Sequence, residues 1–123
     1  MSVDCRQVAF EAVKDRLPSG FSFEQFLSKV TRFSFIPVKL KGKVVGAIMA
    51  DGPEVHVAVL PEAHKRWFNR TISRWLDRRL TKFGKLVTKV LDDHAIGHEF
   101  AIRLGFRAVR HAGNVTFYEK GAA

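Results

Sequence analysis

Apolar positions along the chain first recur at helical spacing and then, from about residue 35, alternate as in strands. Two short helices are predicted within residues 4–32, because apolar residues repeat every three or four positions in two segments. Pro18-Ser19-Gly20 ends the first segment, and Ser22 is a candidate N-cap for the second. The apolar faces contain Val8, Ala12, Val13 and Leu17 in the first segment and Phe23, Phe26, Leu27 and Val30 in the second.

Three strand segments are predicted over residues 35–60, separated by the turn signals Lys41-Gly42 and Asp51-Gly52-Pro53. This spacing is typical of an antiparallel meander. The helical period returns after Pro61, so a long helix is predicted from there to Gly84, a residue common just past helix ends. Its apolar face would comprise Phe68, Ile72, Trp75, Leu76 and Leu80.

In the last third of the chain, the pattern of apolar and turn residues predicts a strand at 85–91, a helix at 94–104 and a hairpin across Ala112-Gly113-Asn114. Asp92 or Asp93 is expected to cap the helix, whose apolar face contains Ile96, Phe100 and Leu104. The order is therefore α-α-β-β-β-α-β-α-β-β. Because strand–helix–strand over 54–91 is a crossover, the sheet needs a parallel pair. We predict an α/β fold with a mixed, mostly antiparallel sheet flanked by helices.

The length of 123 residues favours a single domain over 1–123, with a helical part at 4–32 and the sheet and crossover helices at 35–119. Hydrophobic residues make up 46%, which excludes disorder by composition. No apolar run approaches the roughly 20 residues that span a bilayer, and Asp4 and Gln7 make the N-terminus unlike a signal peptide. The single cysteine, Cys5, fits a reducing compartment. We expect a cytoplasmic protein without a membrane partner.

A formal net charge of +9 predicts attraction to polyanions without saying which kind. If the long helix begins after Pro61, arginines at every fourth position form one basic stripe. The stripe could bind nucleic acid or an acidic partner, or it could be a solvated helix face. No aromatic residue is expected to interleave with it as a platform for single strands. Its residues are Arg66, Arg70, Arg74 and Arg78, extended by Arg79, Lys82 and Lys85.

Two stretches, "VAVLPEAHKRW" and "HEFAIRLGF", together with the element order, resemble the GCN5-related N-acetyltransferases (GNATs). Val59-Leu60-Pro61-Glu62 is similar to the V-x-P signature that ends a strand in that family. Arg103-Leu104-Gly105-Phe106 is similar to the end of a later helix. The resemblance covers about residues 36–119 and implies acetyl-CoA-dependent transfer of an acyl group to an amine. It is nearest to short, divergent acetyltransferase-like proteins of tailed bacteriophages, which would place the chain in a host cytoplasm or a virion.

The resemblance also implies a cofactor site. In the family, strand backbone binds pantetheine, and a loop of the form Q/R-x-x-G-x-G/A binds pyrophosphate at a helix N-terminus. His64 falls at the Q/R position, Trp67 at the first glycine, Asn69 at the second, and His94 where an asparagine often begins the later helix. The indole could fill the phosphate space, with nearby cations compensating, or pack into the core. The candidate cofactor-binding residues are Val57, Ala58, Val59, His64, Lys65, Arg66, Trp67, Phe68, Asn69, Arg70 and His94.

Glu54 and His56 are the candidate catalytic residues, because strand alternation places both on one face and acyl transfer to an amine needs a base. They could equally be a polar sheet surface. The family's usual proton-donating tyrosine would fall at Ala101. His94 and His98 have metal-ligand spacing, but no third ligand follows from it, and we predict no metal. Two other functions stay open: a non-catalytic descendant that binds a host or virion protein, and a nucleic-acid-binding accessory protein.

Overall fold

The order of helices and strands in the computed structural model, which describes residues 4–17 and 19–121, is the predicted order. The helices are α1 (Cys5–Val13), α2 (Phe23–Lys29), α3 (Arg70–Phe83) and α4 (Ala95–Arg103). Short 3₁₀ segments lie at Lys14–Arg16 and Pro61–Ala63. The strands are β1 (Ser34–Leu40), β2 (Lys43–Asp51), β3 (Glu54–Val59), β4 (Lys85–Leu91), β5 (Arg107–Ala112) and β6 (Val115–Gly121).

The strands form one mixed sheet in the order β1-β2-β3-β4-β6-β5. β1 pairs with β2, β4 with β6, and β5 with β6, all antiparallel. β3 and β4 pair in parallel, with Glu54 opposite Val87. The predicted α/β class with a mixed, mostly antiparallel sheet is thus confirmed. The described residues form two compact units: 4–17, 19–51 and 57–68 belong to the first, and 52–56 and 69–121 to the second. The single-domain organisation stays a prediction.

In the first unit, α1 packs against β1 and β2 around an aromatic core. The Phe10 ring lies 5.6 Å from that of Phe26 and 5.7 Å from that of Phe23. Ser22 caps α2 as predicted, and Gln25 completes the capping box. α1 ends at Val13 rather than continuing to Leu17, because Lys14–Arg16 tightens into a 3₁₀ turn. The predicted stop at Pro18 lies outside the described residues.

The β1–β2 hairpin turns through two left-handed residues, Lys41 (φ 53°) and Gly42 (φ 79°), as a tight two-residue turn requires. Further along β2, Gly46 lies against the backbone of β3. A Cβ atom built on Gly46 would stand 2.2 Å from the carbonyl oxygen of Ala58 and 2.7 Å from the Cα of Val59. Glycine at this position therefore allows the close approach of the two strands.

In the second unit, α3 and α4 pack against β4. The buried residues come from both helices and from one side of the strands. Gly84 ends α3 in the left-handed conformation (φ 79°), and its N–H donates to the Leu80 carbonyl at 2.7 Å. The buried side chains include Val55, Ile72, Leu76, Leu86, Val90, Phe100, Leu104 and Tyr118.

One predicted helix start and one predicted cap are wrong. α3 begins at Arg70, not directly after Pro61, because the Asn69 side chain caps it by accepting from the Ile72 N–H at 3.0 Å. α4 begins at Ala95 with His94 at the N-cap position, not Asp92 or Asp93. The Asp92 carboxylate instead accepts from His111 and Thr116. Among the described residues, no helix is long and apolar enough to cross a membrane.

Candidate active site

Glu54 and His56 lie on the same side of β3 and contact each other, while Val55 between them is buried. The Nε2 of His56 is 2.6 Å from the Oε2 of Glu54. Both side chains are about one-fifth exposed, at 22% for Glu54 and 23% for His56. The pair is therefore a short, partly desolvated hydrogen bond between a carboxylate and an imidazole that solvent can still reach.

The second ring nitrogen of His56 meets β4. Its Nδ1 lies 3.3 Å from the hydroxyl oxygen of Thr88. If Nε2–H donates to Glu54, then Nδ1 accepts from the Thr88 hydroxyl, and the ring is held from both sides in one tautomer. Thr88 did not stand out in the sequence, because its place beside His56 depends on the parallel pairing of β3 with β4.

A pocket of about 310 Å³ opens on the sheet beside Glu54. Its lining includes two acidic residues, Glu54 and Glu119, and two aromatic residues, Phe117 and Tyr118. The Arg110 guanidinium lies 4.0 Å from the centre of the Phe117 ring. The remaining lining residues are Val87, Thr88, Lys89 and Val109.

The predicted pyrophosphate loop is a 3₁₀ turn followed by further turn residues. Three of its backbone N–H groups bond within the loop: Ala63 donates to Leu60, His64 to Pro61, and Arg66 to Ala63, at 2.9 to 3.2 Å. His64, at the Q/R position, also directs its Nε2 to the carbonyl oxygen of Val59 at 3.0 Å. These three N–H groups already donate to carbonyls of the chain, so they are not free to bind a phosphate.

Trp67 is fully buried, with 0% of its surface exposed. Its ring meets that of the half-buried Phe68 edge-on, with the centroids 5.7 Å apart. The indole is therefore a core side chain and does not cover the outer surface of the loop. Lys65 and Arg66 are exposed. The sequence alone left open whether Trp67 fills the ligand space or packs inward, and the burial favours inward packing.

A basic recess of about 340 Å³ lies next to Arg66. Lys41 and Lys43 of the β1–β2 hairpin line it together with Arg66, opposed by the one carboxylate of Glu62. Its other walls are Leu40 and Val45. The sequence marked Lys41 only as a turn residue, so the two lysines were missed as possible anion ligands. No local pattern could have shown that a hairpin turn and Arg66 meet.

The remaining predicted residues have local roles. Asn69 caps α3, and Arg70 is the first, exposed residue of that helix. Val57 is half-buried, and Ala58 and Val59 are buried. Arg66 precedes α3 and so does not belong to a stripe on that helix, which corrects the predicted set to Arg70, Arg74 and Arg78.

The two candidate metal ligands, His94 and His98, are not part of a ligand cluster. No group of three or more histidine, cysteine or acidic side chains in the described ranges could hold a metal ion. The ring nitrogens of His98 meet the Tyr118 hydroxyl at 2.6 Å and the Leu91 carbonyl at 3.0 Å. Cys5 is half-buried beside the first unit's core, and that burial raises the pKa of its thiol.

No family model matches the sequence, and no curated protein is significantly similar to it. Solved structures do match. The PaiA N-acetyltransferase from Thermoplasma acidophilum in complex with coenzyme A has 14% identity and a TM-score of 0.65, over 96% of this chain and 88% of that one. A GNAT family acetyltransferase from Elizabethkingia anophelis with acetyl-CoA bound has 11% identity and a TM-score of 0.65, over 98% and 92%.

The ribosomal-protein-S18-alanine N-acetyltransferase from Escherichia coli has 15% identity and a TM-score of 0.64, over 98% of this chain and 91% of that one. At such low identities the likeness shows the fold. The chain has the fold of the GCN5-related N-acetyltransferases, as the sequence resemblance predicted. The finer similarity to phage proteins is not tested by these matches and stays a prediction.

Proposed function

We propose that the chain is an N-acyltransferase that uses acetyl-CoA as donor and an amine as acceptor. The observation that carries this proposal is the hydrogen-bonded series Glu54–His56–Thr88 at the edge of a pocket, in a chain with the GNAT fold. Glu54 and Thr88 line that pocket and His56 contacts both of them, so the imidazole could take a proton from an amine bound there, directly or through the Thr88 hydroxyl.

The basic recess fits the phosphates of the cofactor. Lys41, Lys43 and Arg66 place three cations around one recess, and phosphate groups bind such clusters through charge-assisted hydrogen bonds. These side chains would supply contacts that a glycine-rich loop makes through its backbone. The exposed side chain of Lys65 would add to phosphate binding. The backbone at 57–59 is the candidate for the pantetheine arm.

The reaction begins with loss of a proton from the acceptor ammonium. His56 would take this proton at Nδ1, directly or through the Thr88 hydroxyl, and the Glu54 carboxylate would stabilise the imidazolium that results. Acetyl-CoA supplies the acyl group as a thioester. Ala101, at the family's usual acid position, is 3% exposed and carries no acidic proton. Solvent would therefore supply the proton that the thiol product needs.

Isothermal titration with acetyl-CoA, and with CoA for comparison, tests the cofactor site. We expect micromolar binding that Arg66→Glu weakens about tenfold or more, because a charge-assisted contact is replaced by repulsion. Lys29→Glu, on α2, is the matched charge reversal and should leave the affinity unchanged. Absence of binding at millimolar acetyl-CoA would remove the enzyme hypothesis.

A non-catalytic role is the second candidate function. It is favoured by the loop N–H groups that already bond within the loop and by the His64 contact with the Val59 carbonyl. In that case the chain would keep the fold and bind a host or virion protein. The same titration separates the two functions, since only the enzyme needs acetyl-CoA. Polyanion binding would use another part of the chain, the exposed face of α3, and does not depend on either function.

A further inference from the structure

The exposed face of α3 carries an excess of positive charge. The whole helix has fourteen residues, of which Asp77 is an anion. Five are cations: Arg70, Arg74, Arg78, Arg79 and Lys82. Within residues 4–17 and 19–121, no ion pair involves Arg70, Arg74 or Arg78. Their spacing of four residues repeats about every 6 Å along the helix. Unpaired cations in a row attract a polyanion more strongly than paired ones do.

Two aromatic rings lie beside these cations, contrary to the expectation of no aromatic platform. The Arg79 guanidinium is 5.4 Å from the Trp75 ring and 5.0 Å from the Phe83 ring, and Lys82 is 5.4 Å from Phe83. Arg79 is held in place because its Nε–H donates to the Gly52 carbonyl at 3.0 Å. Phe83 is 36% exposed, so part of its surface is accessible to a ligand.

A shallow depression of about 150 Å³ lies at this place, lined by Trp75, Arg78, Arg79 and Lys82. It has an aromatic wall, and its other lining residues are cationic. That combination matches the two parts of a nucleotide, a base that stacks and a phosphate that carries charge.

We propose that the exposed face of α3 is a binding surface for single-stranded nucleic acid. Arg74 and Arg78 contact phosphates, and the rings of Trp75 and Phe83 stack with unpaired bases, next to Arg79 and Lys82. This surface does not depend on the proposed acyl transfer. It is defined by residues 74–83 of α3, none of which lines the recess at Arg66.

Single strands fit this surface better than a duplex or a membrane does. In a duplex the bases are stacked on each other, so half-exposed aromatic rings have no free base face to contact. A membrane-binding helix inserts its apolar face into the lipid, whereas the apolar residues Ile72 and Leu76 of α3 are buried within the protein.

Fluorescence anisotropy with labelled oligouridylate and oligothymidylate of about 15 nucleotides tests the proposal on the full chain. We expect Arg74→Glu plus Arg78→Glu to weaken binding about tenfold or more. The plot of log affinity against log salt concentration should become less steep, with its slope smaller in magnitude by about 1.4, because two phosphate contacts are lost. Phe83→Ala should weaken binding several-fold without changing this slope, because stacking involves no counterion release.

The matched control is Lys29→Glu plus Arg107→Glu, two exposed cations on other elements with the same change in net charge. Thermal unfolding of each variant verifies that it folds. The proposal is overturned if the control loses as much affinity as the α3 variant, or if a duplex of equal length binds as tightly. It is also overturned if anionic phospholipid vesicles bind more tightly and displace the oligonucleotide, or if saturating acetyl-CoA displaces it.

Discussion

Single side chains decide whether the Glu54–His56 pair can act as a base. His56 has one ring nitrogen against Glu54, so its usable basic atom is Nδ1, which faces Thr88. The Glu54 carboxylate, which can only accept, fixes the tautomer, and a threonine that orients the ring without touching the substrate is a positioning residue. Its effect should appear in the rate of the chemical step rather than in substrate binding.

Thr88→Val removes the hydroxyl at nearly constant volume. Under the proposed function, we expect kcat to fall about tenfold with the KM for acetyl-CoA unchanged, a part of the 10²–10⁴-fold that a general base contributes. Thr88→Ser should restore most of the rate, because it returns the hydroxyl. Steady-state kinetics of the two variants is the measurement. Equal rates for the wild type and Thr88→Val would show that the hydroxyl has no such role.

The Asp92 carboxyl has a lowered pKa. The hydrogen bond from His111 at 2.6 Å, followed by that from the Thr116 hydroxyl at 2.9 Å, lowers the pKa of its carboxyl. A lowered folded-state pKa stabilises the protein above the unfolded value of about 3.9, and this contribution is lost as the pH falls through the folded pKa. His111→Ala should therefore lower the free energy of unfolding at neutral pH. The loss should become progressively smaller below about pH 4.

An NMR titration of the Asp92 carboxyl would test this directly. In His111→Ala the pKa should rise toward its ordinary value, with a smaller rise in Thr116→Val, which removes the weaker contact. An unchanged pKa in both variants would mean that solvent already screens the two hydrogen bonds.

At the scale of elements, the approach of β2 to β3 depends on Gly46. In Gly46→Ala the new Cβ would overlap the Ala58 carbonyl oxygen, and this neighbour is backbone that cannot rotate away. We expect a loss of about 3 kcal/mol in the free energy of unfolding, at the upper end of overpacking costs. Urea unfolding measures it. Gly121→Ala is the control, because nothing lies within 4 Å of a Cβ there.

The start of α3 depends on its cap. Asn69→Ala removes the acceptor for the Ile72 N–H and should lower the free energy of unfolding by about 1 kcal/mol, whereas Asn69→Asp keeps the cap and should be close to neutral. Thermal unfolding compares the two variants. If both lose the same amount, the side chain stabilises the protein by some means other than capping.

At the scale of the whole molecule, the sequence predicted the element order and the sheet class because turns, caps and periodicity are local signals. Glu54 and His56 were placed on one face for the same reason. Three features of the sites were missed. Thr88 and the Lys41–Lys43–Arg66 recess depend on elements that meet only after folding. The exposure of the Trp75 and Phe83 rings depends on how the side chains of one helix pack. The predicted start of α3 was wrong because the apolar period extends back to Phe68. The capping signal of Asn69 was not given more weight than this periodicity.

Ligand linkage gives the last prediction, since any ligand that binds only the folded chain stabilises it. Acetyl-CoA at 100 times its Kd should add about 2.7 kcal/mol to the free energy of unfolding, and a single-stranded oligonucleotide at the same multiple should add a similar amount. If the two sites are separate, the stabilisations measured by calorimetry add when both ligands are present. Arg66→Glu should reduce the acetyl-CoA effect alone, and Arg74→Glu plus Arg78→Glu should reduce the oligonucleotide effect alone. If the two ligands together stabilise the chain by only about 3.1 kcal/mol instead of about 5.4 kcal/mol, they compete for one anion site and the proposal of two sites is wrong.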